Sequence, residues 1–215
     1  MKPAPPFRLL AISDRAALGG EAALPAWLRR LAAAATRLPE LTAVQLREKD
    51  LADRALHDLA RQARALLPPP GRLLVNGRLD LALAAGADGA HLPADGVPLA
   101  ALRERFGPAV LLGRSTHHAD EVEQARRDGA DYVTFGPVYP TPGKERYGPP
   151  PGLAGLRRAA AVGIPVYALG GVTIQRLGEV AEAGAAGAAG IRLFLGENTE
   201  LQALVHAAAQ IFQRP

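Results

Sequence analysis

The chain has 215 residues, 48% hydrophobic and 21% charged, and a net charge of +4 at neutral pH; this suits one domain with a sizeable core. It has no cysteine, which excludes disulfides, thiolate nucleophiles and thiolate metal sites. No apolar run approaches the ~18 residues of a bilayer span, and the basic residues are mixed with acids and few aromatics, so neither a membrane nor a nucleic acid is an expected partner.

The apolar start, Phe7 to Ser13, carries no cleavage pattern and reads as a tail plus a first strand. One domain over residues 1–215 and a cytoplasmic enzyme are expected. Short apolar runs predict strands at 8–12, 43–47, 73–75, 89–92, 110–112, 132–135, 166–169 and 188–191. Longer amphipathic stretches predict helices at 22–37, 50–67, 79–85, 99–106, 120–128, 153–162, 174–183 and 199–212. Strict alternation of eight strands and eight helices points to βαβ units and a parallel sheet. A short repeat supports it: Gly86-Ala-Asp88, Gly129-Ala-Asp131 and Gly184-Ala-Ala186 each close a helix pattern just before a strand. Eight such units in this length make a compact α/β TIM (β/α)8 barrel. The turn Ser13-Asp-Arg15 is not a glycine-rich dinucleotide fingerprint, which argues against an open doubly wound sheet.

Polar residues gather where strands end. Gln45, Arg47 and Lys49 alternate at period two and would project to one side. An amide and two cations there suit a diphosphate. A surface ion pair with Glu48 or Asp50 is the alternative reading. Asn76, Ser115 and His117 follow at later strand ends. The sixth strand passes into a Gly-Pro-bounded loop with Thr141 and Lys144. Gly170-Gly171 and Arg192 end the seventh and eighth strands, the usual phosphate-binding corner of a barrel. His91 and His117 are the candidate imidazole acid/base groups. His57 and His206 fall in helix patterns, and no two-histidine metal spacing appears.

These strand ends resemble the thiamine phosphate synthase/TenI family over nearly the whole chain. The resemblance rests on Ile12 to Arg15, Gln45 to Lys49, Asn76 to Leu83, Gly86 to Leu92, Gly113 to His117, Gly129 to Tyr132, Phe135 to Thr141 with Lys144, and Ala168 to Thr173. It implies a TIM barrel and a phosphorylated small-molecule substrate of thiamine biosynthesis. By resemblance, Gln45, Arg47, Lys49, Asn76, Ser115 and Lys144 hold an aminopyrimidine diphosphate. Thr141 and Gly170-Gly171 hold a thiazole phosphate. A homodimer is the family tendency.

Two departures bear on the chemistry. The synthase pattern has metal-binding Asp residues where this chain has Gly77 and Gly96, with Asp95 one position away as a substitute. A tautomerase-type pattern has His where this chain has Pro137. Asn76-Gly-Arg78 and His91-Leu-Pro93 look more like the TenI branch. The expectation is therefore TenI-like proton transfer on a thiazole phosphate, without cofactor, using His117 or His91. An authentic synthase with Mg2+, and a non-catalytic regulator that binds thiazole or thiamine phosphate, are the alternatives.

Overall fold

The computed structural model describes residues 7–36, 38, 42–141 and 149–212. Eight parallel strands form a closed barrel in sequence order: β1 (Leu9–Ile12), β2 (Thr42–Leu46), β3 (Arg72–Asn76), β4 (Gly89–Leu92), β5 (Leu111–Thr116), β6 (Tyr132–Phe135), β7 (Val166–Leu169) and β8 (Gly187–Gly190). Outside them, among the described residues, lie α1 (Arg15–Leu18), α2 (Ala23–Ala34), α3 (Asp53–Leu66), α4 (Leu79–Ala84), α5 (Leu99–Phe106), α6 (Ala119–Arg127), α7 (Gly152–Ala160), α8 (Leu177–Glu182) and α9 (Asn198–Ile211). The predicted barrel and its eight strands are present.

Strand alternation divides the core in two. One set of side chains, including Leu9, Val44, Val75, Ala90, Leu112, Val133 and Ala168, packs between sheet and helices. The other fills the barrel: Phe7, Leu10, Ile12, Ala43, Leu74, Tyr132, Tyr167 and Ala189. Both faces are buried, so the strands read as continuous apolar runs. At the end where the strands begin, the interior is plugged by aromatic rings. Phe7 stacks on Tyr167 at 4.8 Å, and Tyr132 meets both edge-on at 5.2 and 5.4 Å.

The repeat has a physical meaning at this end. The N–H groups of Asp88, Asp131 and Ala186 each donate to the preceding strand, at 2.8 Å to Leu73, Leu112 and Val166. In the first two copies a carboxylate completes the joint. Asp88 accepts from Leu73 N–H, Arg64 and Arg72, and Asp131 from Leu112 N–H and Arg103.

Some predicted boundaries move. The predicted strand 110–112 runs on to Thr116, because Ser115 and Thr116 continue the ladder against Thr134 and Phe135. The short helix α1 was not predicted; Asp14 caps it by accepting from Ala17 N–H. The predicted helix 174–183 opens as a 3-10 turn, Ile174–Arg176. Arg47 lies just beyond β2, and Arg192 starts a 3-10 turn rather than extending β8. No described helix is long and apolar enough to cross a membrane.

Candidate active site

The strands end on one face, and the inward positions turn polar there. Gln45 is buried and donates to Asn76 Oδ1 at 2.9 Å, tying β2 to β3. Its Oε1 is buried with no hydrogen-bond partner. Such an orphan acceptor is costly unless something supplies a donor. Beyond it, Arg47 is half-buried and Lys49 exposed.

The alternative pairing of these cations with Glu48 or Asp50 is not seen. Arg15, the first residue of α1, takes both acids: its Nε donates to Glu48 at 3.0 Å and its terminal nitrogen to Asp50 at 2.8 Å. Buried Glu48 also accepts from Ser13 Oγ at 2.5 Å. Asp50 beside Arg15 holds its carboxyl below the usual carboxylate range. Among the described residues, Arg47, Lys49 and Arg192 have no ion-pair partner. Three cations near the mouth thus keep their charge available to an anion.

His91 points into the barrel and is 2% exposed. Its Nδ1 meets Tyr132 Oη and its Nε2 meets Ser115 Oγ, both at 3.0 Å, with Thr134 Oγ1 at 3.3 Å. Burial, with Arg114 nearby, pushes its pKa down to about 3. A neutral ring engaged at both nitrogens is poorly placed as the general base expected of it. Gly113 makes room for this cluster: a Cβ there would lie 2.2 Å from the Tyr132 ring and 2.5 Å from His91 Nδ1.

His117 sits higher and is half-buried. Its Nδ1 lies 2.5 Å from the Gly136 carbonyl, which can only accept. That puts the proton on Nδ1 and leaves the lone pair of the neutral ring on Nε2. Glu121 accepts from the His117 backbone N–H at 2.6 Å and fixes the turn into α6.

The loop after β6 is laid against the loop after β7. Val138 N–H donates to Leu169 and Tyr139 N–H to Gly170. Gly170 and Gly171 have positive φ, +93° and +67°, and a Cβ on either would come within 2.7 Å of Pro137 or Tyr139. Arg176 stacks on the Tyr139 ring at 4.2 Å and donates to the Gly171 carbonyl at 2.6 Å. Thr141 Oγ1 donates to Tyr139 O at 2.9 Å. The expected ligand contact at Lys144 lies outside the described residues.

Arg114, one of the polar residues at the fifth strand end, has no role assigned from the sequence. It faces outward from β5 and gathers the loop after β4, donating to the carbonyls of Pro93 and Val97 at 2.7 and 2.8 Å. Period-two alternation from Gly113 and Ser115 gives its direction, but no local pattern names its acceptors.

A model of the family described as thiamine monophosphate synthase matches residues 9–194. The chain belongs to this family. A Geobacter sulfurreducens protein, provisionally named as a thiamine-phosphate synthase, is 45% identical over 193 residues, covering 89% of this chain and 88% of the relative. The thiamine-phosphate synthase of Roseiflexus castenholzii is 41% identical over 173 residues, covering 78% and 76%. A solved thiamine phosphate pyrophosphorylase from Pyrococcus furiosus superposes with a TM-score of 0.83 at 28% identity, over 97% of this chain and 98% of that one. Membership places the chain in thiamine biosynthesis.

The family resemblance implies Mg2+, and the residues here do not fit it. Glycines stand at positions 77 and 96, Asp95 is exposed, and the described residues hold no cluster of three or more acidic or histidine groups suited to a metal. A Cβ at Gly77 would meet nothing closer than Pro93 Cδ at 3.9 Å, but one at Gly96 would press on Pro93 at 3.0 Å. The loop drawn together by Arg114 has no room for a carboxylate without moving.

Proposed function

We propose that this protein joins an aminopyrimidine methyl diphosphate to a thiazole phosphate, the thiamine-phosphate synthase reaction. The single observation that carries this reading is the mouth itself: Arg47 and Lys49, without an ion-pair partner among the described residues, follow Gln45 and its bond to Asn76. The names of the relatives favour the coupling over the TenI-like proton transfer expected from the sequence.

In the reaction the bond between the methylene carbon and the diphosphate oxygen breaks, pyrophosphate leaves, and the thiazole nitrogen forms the new C–N bond. Negative charge grows on the departing oxygen. Cations that meet it there stabilise that charge more in the transition state than in the substrate. Arg47 and Lys49 fill this role, and Gln45 Oε1 accepts from the amino group of the pyrimidine. Gly170 and Gly171 let the backbone approach the thiazole phosphate.

One observation keeps a second reading in play. Gly77 and Gly96 remove the carboxylates that the coupling reaction uses, whereas proton transfer on a carboxythiazole phosphate needs no metal. His117, with its lone pair on Nε2, is then the base.

The test is incubation of purified protein with both coupling substrates, with and without Mg2+, and detection of thiamine phosphate. Formation of thiamine phosphate supports the coupling. If neither condition yields any, while the carboxythiazole phosphate is isomerised by wild type and not by His117→Ala, the second reading replaces it. Binding without either turnover leaves the regulator.

A further inference from the structure

His91 lies between a phenol below and a hydroxyl above, and the geometry fixes which way the hydrogen bonds run. Tyr132 is fully enclosed, and its Oη has one hydrogen-bond partner among the described residues, His91 Nδ1 at 3.0 Å. A phenol is a stronger donor and a weaker acceptor than an aliphatic hydroxyl. If Nδ1 carried the proton, Tyr132 would have to accept, and its own hydrogen would be buried without an acceptor. So Tyr132 donates to Nδ1. The ring is neutral, held so by burial, and its one proton then sits on Nε2. The Nε2–H donates to Ser115 Oγ at 3.0 Å, with Thr134 Oγ1 a more distant second acceptor at 3.3 Å. Ser115 therefore accepts from below, and its own hydrogen turns away from His91. Ser115 is half-buried, on β5 one strand from the β4 end.

We infer that Tyr132, His91 and Ser115 form a one-way hydrogen-bond relay that holds the Ser115 hydroxyl as a donor toward a phosphoryl oxygen in the barrel mouth. His91 is in this account a positioning residue: it reaches the ligand only through Ser115. Gly113 is what permits the relay, since any side chain there would occupy the space where the ring and the phenol meet. The direction of the relay stands by itself; its use on a phosphoryl group rests on the coupling reaction proposed above.

Two measurements test it on the full chain. In protein labelled with 15N-histidine, the His91 signals, assigned by their loss in His91→Gln, are expected to show an unprotonated Nδ1 and a protonated Nε2. A protonated Nδ1 overturns the relay, and needs no variant that folds differently. The second measurement is a double-mutant cycle read as affinity for inorganic pyrophosphate. His91→Leu and Ser115→Ala are each expected to weaken binding about 5- to 20-fold, and the double variant no more than either alone. His91→Gln, whose amide N–H can replace the Nε2 donor, is expected to retain most of the affinity. Equal loss from His91→Leu with and without Ser115 overturns the positioning role. If wild type binds no pyrophosphate, the phosphoryl target fails together with the coupling reading, while the tautomer spectrum still decides the direction of the relay.

Discussion

The two ends of the barrel use the same residue types for opposite purposes. Where the strands begin, arginines meet carboxylates: Arg64 and Arg72 converge on Asp88, and Arg103 on Asp131, each acid also holding a backbone N–H. Where the strands end, Arg15 is likewise neutralised, by Glu48 and Asp50, but Arg47 and Lys49 are left unpaired among the described residues. A paired arginine is a strut. An unpaired one keeps its charge available to an anion. The aromatic plug of Phe7, Tyr132 and Tyr167 lies between the two ends, and of its rings Tyr132 reaches the mouth through His91.

The largest effect is expected at the closed end. Asp131→Ala strips Arg103 and the Leu112 N–H of an acceptor that is 9% exposed. Breaking such a buried pair costs about 3–5 kcal/mol, a fall in melting temperature on the order of 10 °C. The kcat of the protein that remains folded should be unchanged. A loss of activity at constant stability would break the division between the ends.

At the mouth the expectation reverses. Arg47→Ala should lower kcat/KM for coupling about 10- to 100-fold, the worth of a charged hydrogen bond. Its melting temperature should move by less than about 2 °C, because no partner is orphaned. Thermal unfolding of the same preparations that are assayed checks both halves. A stability loss as large as that of Asp131→Ala would show that Arg47 is another strut.

His91 stands between the ends and offers a pH test. Its pKa is lowered in the folded protein to about 3, from the ordinary 6.5, so the unfolded chain binds its proton first as pH falls. Full stability from this residue is therefore present above pH 6.5 and is lost as pH falls toward 3. The loss is up to about 1.4 kcal/mol per pH unit within that window. In His91→Gln this slope should vanish, so the difference between the two denaturation curves narrows with acidification. A constant difference from pH 7 to pH 4 would mean that the ring takes up its proton inside the barrel as readily as in the unfolded chain.

The architecture was legible because each of its signals is local. Strand and helix patterns alternate once per unit, a glycine joint before the strand recurs in three of the units, and a closed parallel barrel follows from the number of units. The site was legible as a set of strand ends but not as a set of bonds. Adjacent residues made Glu48 look like a partner for Arg47 or Lys49, yet alternation separates them, and Arg15, 33 residues earlier, takes the acid. His91 looked like a base because it ends a strand. Its burial depends on Gly113 and Tyr132, which arrive from two other strands. The reach of Arg114 to the loop after β4 is equally non-local.

The smallest effect concerns Arg176, a strut at the open end. It stacks on Tyr139 at 4.2 Å and holds the Gly171 carbonyl, while Tyr139 donates to Glu179 at 2.8 Å. Burial, then the bond to Glu179, lifts the Tyr139 pKa to about 12, so the phenol remains a donor across the working range. Arg176→Ala should cost about 1–2 kcal/mol, the sum of a half-buried cation–π contact and one hydrogen bond. Its consequence should fall on binding instead. With the Gly170-Gly171 turn less firmly held, KM for the thiazole phosphate should rise a few-fold while KM for the diphosphate substrate stays constant. Steady-state kinetics with each substrate varied in turn distinguishes this from a general loosening of the mouth, which would raise both. An equal rise in both would place the two phosphate groups against one shared rim, and the separate roles of Arg47 and of the glycine turn would have to be given up.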